Sequence, residues 1–199
     1  NSIMAGTFPS TAGFQTLDFT SNTNTRTSVS VSGKTQRLQT GSQYWSFTLK
    51  SPKKDRADVM SDYAFLVTQN GQADTFTIVP PVITDARGTA SGVITINATY
   101  AAGQSLVKGN GGSGTLKKGD IIKFSNHTKV YMITEDINMD SSSEDFFNIY
   151  PPLVTGITNS TTVTYDDVPF KVYLTGDNIQ YKSSTDGKFQ YQIKVNEEI

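Results

Sequence analysis

Apolar residues along this chain recur mostly with a period of two. From Tyr44 to Leu49, Trp45, Phe47 and Leu49 alternate with Ser46 and Thr48. Successive strand residues point to opposite faces, so this spacing predicts a strand with one buried face. A register slip of one residue would turn the chain's only tryptophan to water, so the register is firmly set. Phe189 to Val195 alternates in the same way, with Phe189, Tyr191, Ile193 and Val195 against Gln190, Gln192 and Lys194. Between these, Ile121-Ile122-Lys123-Phe124 and Val130-Tyr131-Met132-Ile133 flank the polar connector 125–129. Both runs are β-branched or aromatic and too short for helices, so they predict a hairpin. Gly119-Asp120 sets the turn that feeds it, since Gly accepts positive φ and Asp bonds its own backbone.

Taken in order, residues 1–13 are small and polar and predict an irregular arm. Strands are expected at 14–19, 27–32, 44–49 and 75–79, with Ser32-Gly33-Lys34 as a turn. One segment breaks the period. Val59, Met60, Tyr63, Leu66 and Val67 recur at helical spacing, behind Asp55 as N-cap, with Asp58 in the first turn and Asn70-Gly71 as the stop. A helix over 55–69 that covers one sheet follows. Composition then turns small and polar over 84–92, which places a domain boundary there. Short strand candidates with Gly-rich turns follow at 93–98, 105–107, 120–124, 129–134 and 146–149, the pattern of a small barrel. Strands at 162–165, 170–174, 178–182 and 189–195 return to the one-face-buried type of the first segment. The expected fold is mainly β: a sheet domain with one flanking helix, formed by 1–83 and 164–199, around an inserted barrel at 84–163.

Composition narrows the chemistry. The chain has 199 residues with a net charge of −1, so no global basic field argues for nucleic-acid binding. No apolar run approaches the roughly 20 residues that span a bilayer. There is no cysteine and one histidine, His127, which excludes thiolate metal sites, Cys nucleophiles and His-pair zinc sites. Asn1 to Gly6 lack the charged and apolar regions of a signal peptide. The sequons at Asn97, Asn126 and Asn159 are expected by chance in a chain rich in Ser and Thr.

Four stretches imitate motifs. Residues 109–114 fit the letters of a dinucleotide fingerprint, but a turn and a strand follow where that chemistry needs a helix, so they predict a flexible loop. Asp136, Asn138 and Asp140 open like a calcium loop, yet Ser141 and Phe147 stand where Gly and a bidentate Glu belong, so a polar hairpin tip is expected. His127 has no neighbouring motif for a nucleophile and reads as a hydrogen-bonding turn residue. Asp166-Asp167 and Glu135-Asp136 are adjacent carboxylates that a strand would point apart. No catalytic, cofactor-binding or metal residue is expected.

Gln43-Tyr44-Trp45, the helix with Tyr63-Ala64-Phe65-Leu66, Lys118-Gly119-Asp120, His127-Thr128-Lys129-Val130-Tyr131, Ile149-Tyr150-Pro151 and Val168-Pro169-Phe170 together resemble the distal tail proteins of long, non-contractile-tailed phages. Their order and spacing agree roughly from Gln43 to Leu174. The resemblance implies a virion structural protein, made in the host cytoplasm, with no enzymatic activity and no cofactor. It implies a tail-tube-like β-sandwich with a flanking helix and an inserted OB-fold-like barrel. It further implies a homohexameric ring that joins the tail tube protein to the baseplate hub or tail tip, and through which DNA passes at ejection. No membrane partner follows from it. A carbohydrate-binding module that touches the host surface is the alternative reading.

Overall fold

A computed structural model describes residues 6–199, so the expected features of residues 1–5 lie outside the described residues. Strands make up 42% and helix 6% of the chain, with one helix among the described residues. The first elements are β1 (Thr16–Asn22), β2 (Thr25–Val29), β3 (Thr35–Gln39), β4 (Tyr44–Lys50), α1 (Arg56–Val67) and β5 (Thr75–Ile78). Next come β6 (Ile94–Ile96), β7 (Leu106–Asn110), β8 (Gly114–Leu116), β9 (Ile121–Phe124), β10 (Val130–Ile133), β11 (Ile137–Met139), β12 (Asp145–Tyr150) and β13 (Thr162–Thr164). The chain ends in β14 (Phe170–Leu174), β15 (Tyr181–Ser183) and β16 (Phe189–Glu197). It divides into two compact units, one of Phe8–Thr75 with Val172–Glu197, the other chiefly Phe76–Lys171.

The first unit is built on an antiparallel ladder from both chain ends. The sheet runs β1-β4-β16-β14-β5, with β15 paired to β16. Leu49 faces Ile193 and Phe47 faces Val195 across β4 and β16. All four side chains are buried, so the two alternating runs share one core face. Helix α1 packs on β16. Val59 and Leu66 are buried as the helical stripe requires, while Val67, expected on that stripe, is exposed. Asp55 does precede the helix, but its side chain makes no cap bond. Its Oδ1 takes the Lys188 ammonium at 2.6 Å instead. The helix ends at Val67 with Thr68 as a right-handed C-cap, short of the expected 69, and Asn70 and Gly71, with positive φ of 53° and 65°, form the left-handed turn just beyond it.

Several strands differ from the sequence reading: β13 pairs with β6 and β9 of the inserted barrel rather than returning to the sheet, β15 covers only Tyr181–Ser183 and is wholly exposed, β8 and β11 lie where no strand is expected, and two more differ near the start of the chain. The strand expected over 27–32 ends at Val29, and Ser30 begins the turn, so Val31 sits in solvent. Its partner β3, unmarked by any apolar alternation, completes a hairpin in which every residue is exposed.

The second unit is a closed barrel in the order β10-β12-β7-β6-β13-β9. Closure pairs each strand on both sides and leaves no edge. The expected β9–β10 hairpin is present, with Tyr131 opposite Ile122. Inward residues such as Ile94, Phe124, Tyr131 and Phe147 form one core. The small sheet β8–β11 adds Leu116, Ile137 and Met139 to it.

The glycine-rich stretch 109–114 is packed strand and turn rather than a flexible loop, with Gly109 and Gly112 buried and Asn110 and Gly111 exposed. Gly109 pairs with Asp145 and with Ile96 as a barrel strand residue. A Cβ on Gly112 would stand 2.6 Å from the Ile94 side chain, and one on Gly114 2.2 Å from the Thr89 carbonyl oxygen. Gly114 also has a φ of +82°. Gly114→Ala should therefore lose roughly 2–3 kcal/mol, as strain and clash add. Gly103→Ala is the control, because Gly103 has a φ of +91° but nothing within 4 Å of a Cβ. Thermal unfolding of the two variants separates the effects; equal losses would show that the contact with Thr89 gives way freely.

Candidate functional site

Three buried or half-buried polar nodes and three exposed faces hold the chemistry of this chain. The first node is Asp62, wholly buried on α1 between Val59 and Leu66. Its Oδ1 accepts the Thr11 backbone N–H at 2.8 Å, and its Oδ2 accepts Ala12 N–H at 3.0 Å and the Tyr191 hydroxyl at 2.9 Å. Burial first, then the Asp62 charge, pushes the Tyr191 phenol above its ordinary range. The described part of the N-terminal arm is thus tied down. Phe8 is buried and packs against Phe14, Phe65 and Tyr191.

The second node fastens the stretch 84–92 to the barrel. Asp120, expected as a turn residue, is 1% exposed and receives Arg87 Nε at 2.9 Å. Its other oxygen takes the Arg87 and Lys117 backbone N–H groups at 3.2 and 2.8 Å. The Arg87 guanidinium also donates to the Lys118 carbonyl. Asp166 accepts Ala86 N–H, and Thr89 and Ser91 bond Thr115 and Ser113.

His127 anchors the third node. Its Nδ1 lies 2.7 Å from Asn126 Oδ1, an acceptor, so the ring proton sits on Nδ1. Its Nε2 then accepts the Tyr131 hydroxyl at 2.8 Å, and that oxygen in turn accepts Val154 N–H at 3.1 Å. Asn126 Nδ2 closes the network on the Gly156 carbonyl. Burial, with Lys123 and Lys129 adding, lowers the His127 pKa. A depressed histidine stabilises the fold fully above its unfolded value near 6.5, and that contribution is lost as pH falls through the lower folded value. Wild-type thermal midpoints should therefore fall as pH drops below about 6.5, and His127→Gln should flatten this part of the profile. An identical slope in both proteins would refute the assignment.

The other imitated motifs do not converge. Asp136 accepts Lys118 N–H and the Lys117 ammonium, which lower its pKa, the backbone bond being the larger cause. Asn138 lies in β11, and Asp140 takes Ser142 N–H and Oγ–H. Glu135 takes the Asn148 amide, away from its neighbour. Among the described residues no three His, Asp or Glu side chains gather as a metal site would need.

The faces are easier to place than to read from sequence. On the outer side of the barrel, Phe146 and Tyr150 stand exposed along β12, with Lys108 5.0 Å from the Phe146 ring. On the sheet unit, Lys50, Lys182 and Lys194 line a groove with Gln180, Gln190 and Gln192. Near the start of α1, Lys53, Lys54 and Arg56 are all exposed, and Lys54 exchanges backbone bonds with Phe189. No helix among the described residues is long and apolar enough to cross a membrane.

Residues 82–168, the span of the closed barrel, match the family model of the distal tail protein pb9, B domain. Distal tail protein pb9 of Escherichia phage T5 is 27% identical to this chain over 187 residues, which cover 89% of this chain and 87% of that protein. The likeness therefore runs through the sheet unit as well as the barrel. With the mainly β fold, these matches make the chain similar to a phage distal tail protein, in the barrel by the family model and over most of its length by sequence.

Proposed function

We propose that this chain is a ring-forming adaptor of the siphophage type, a homohexamer that joins the tail tube protein to the hub proteins of the baseplate or tail tip. In this reading the protein is made in the host cytoplasm, does no catalysis, and lets DNA pass through its ring at ejection. The observation that carries the reading is the sheet unit. It draws strands from both chain ends, and at one side, among the described residues, β1 pairs only with β4. Subunits in a ring meet through two different surfaces, and an open strand edge is one such surface. The domains we assign are 1–83 with 164–199 for the ring, and an inserted OB-fold-like barrel at 84–163 for the periphery. A division into two compact units, with breaks at Thr75 and Val172, supports an insertion of this kind though not its bounds. A channel for DNA should not hold clustered cations, because each neutralised phosphate adds affinity and slows passage. Lys53, Lys54 and Arg56 accordingly face a neighbour or the outside.

Imaging the assembled tail tip tests this. The expected result is a six-fold ring closed by the sheet units. A ring of another symmetry, one closed through residues 93–150, or these three cations lining the channel would overturn it.

The exposed row of Phe146 and Tyr150 favours a second reading, a glycan-contacting barrel, since aromatic faces on a strand suit sugar rings. A glycan array separates the two: specific binding lost in Phe146→Ala supports it, and no binding dismisses it.

A further inference from the structure

Helix α1 reaches one face of β16, where the Tyr191 hydroxyl meets Asp62. The opposite face carries Gln190, Gln192 and Lys194, the alternate residues of the same strand. Lys50 on β4 stands opposite Gln192, and Lys182 on β15 stands opposite Gln190. With Gln180 these side chains line a groove of about 490 Å³, and no acid lines it. The three ammonium groups make no ion pair among the described residues, and the side-chain amides of Gln180 and Gln192 make no hydrogen bond there. Gln190 is the fixed part of the floor, because its Nε2 donates to the Ser51 carbonyl at 2.7 Å and to Gln15 Oε1 at 3.0 Å. Like charges gathered in one groove repel, so nothing within the fold accounts for the three lysines.

We propose that this groove seats an extended acidic segment of another tail protein. The inference names a class of partner for the adaptor, and it rests on the adaptor reading for the source of that partner. Charge selects an anion. Spacing selects its form. Lys50 and Lys194 are diagonal neighbours across the β4–β16 pair, since Lys50 faces Gln192 and Lys194 faces Thr48. Diagonal positions stand about 7–8 Å apart. In an extended chain every second residue points the same way, and a rise of about 3.3 Å per residue puts alternate carboxylates about 7 Å apart. Asp or Glu at alternate positions thus meets both ammonium groups from one face of one strand. The free glutamine amides suit the same occupant, because each offers a donor and an acceptor to the backbone groups of a peptide. Other polyanions fit less well. Tyr191 and Ile193, the apolar residues of the lining, are buried, so no ring is presented to a base or a sugar. Lysine is a point charge without the planar fork that grips a phosphate at two oxygens.

Fluorescence anisotropy on the full chain with two labelled peptides, one alternating Glu and Thr and one alternating Gln and Thr, tests this. At low salt the Glu–Thr peptide should bind at least tenfold tighter, and the margin should shrink as salt rises. Lys50→Gln/Lys194→Gln should remove the margin. Lys117→Gln/Lys118→Gln takes the same charge from the barrel unit and should keep it, with circular dichroism to check that both variants fold. Equal binding of the two peptides by the wild type would overturn the proposal. So would an equal loss in the two variants, which would make the effect one of net charge. A DNA duplex that displaces the peptide at a lower concentration of charge would give the groove to nucleic acid and overturn the occupant. Each of these results leaves the six-fold ring standing, since imaging of the tail tip tests that separately.

Discussion

Asp62→Ala should cost the sheet unit about 3–5 kcal/mol, because three donors lose one charged acceptor at once. Thr11 N–H, Ala12 N–H and the Tyr191 hydroxyl all end on this carboxylate, which has no solvent exposure. A bond to a charged group contributes about 1.5–3 kcal/mol, and each buried donor left unsatisfied costs about 1–3. Alanine removes the acceptor of all three, and the bonds of Ala12 N–H and the Tyr191 hydroxyl are buried. For a unit of this size each kcal/mol moves the midpoint by about 4–8 °C, so the loss is plain in a melt. Tyr191→Phe is the graded control, since it deletes one donor and leaves the carboxylate its other two. It should cost about 1 kcal/mol. It also carries a signature in pH. A tyrosine whose folded pKa is raised keeps its proton where the unfolded chain loses it. Its stabilisation is complete below about pH 10 and declines above. Phenylalanine at 191 removes that alkaline decline. An Asp62→Ala protein that melts within about 1 kcal/mol of wild type would mean that the arm reaches other acceptors.

Asp62 also shows where sequence reasoning stops. The helical stripe around it was legible, because Val59 and Leu66 repeat at the spacing of one helix face. A carboxylate inside that stripe was not, because its donors lie 51 residues upstream and 129 downstream. The same holds for Asp120, which reads as a local turn residue until Arg87 arrives from a stretch that looks like a linker. Strands were legible in proportion to their burial. β4, β9, β10 and β16 alternate or run apolar because a core selects one face. β3 faces water on both sides, so nothing selects its pattern and propensity alone is too weak. β8 and β11 are short, and they borrow their place from each other. The Gly109–Gly114 stretch looks like a loop for the reason that makes it packed strand and turn: only a residue without Cβ lets Ile94, Thr89 and Met139 approach so closely. As for function, the order of motifs carried the resemblance, and the exposed faces only became visible with the fold.

Trp45→Ala should produce the other large loss, again about 3–5 kcal/mol. Trp45 is 2% exposed and stacks on Phe19 with centroids 4.6 Å apart at 20°. Phe19 stacks in turn on Phe47 at 5.1 Å, so the three rings are one layer. Phe19 belongs to β1, at the edge of the sheet, where it is only half-buried. Removing the indole therefore opens a cavity and uncovers the one aromatic side chain that fixes the edge strand to the core. Backbone collapse does not soften the loss, because the Trp45 N–H is held separately by the buried Glu197 carboxylate at 3.1 Å. β4 stays in place, and a cavity beside a held strand cannot close. Trp45→Phe keeps a ring on Phe19 and should recover more than half of the loss. Urea melts of both variants, followed by circular dichroism, check these expectations. A soluble Trp45→Ala with an unshifted midpoint would put the indole outside the core and the β4 register in error.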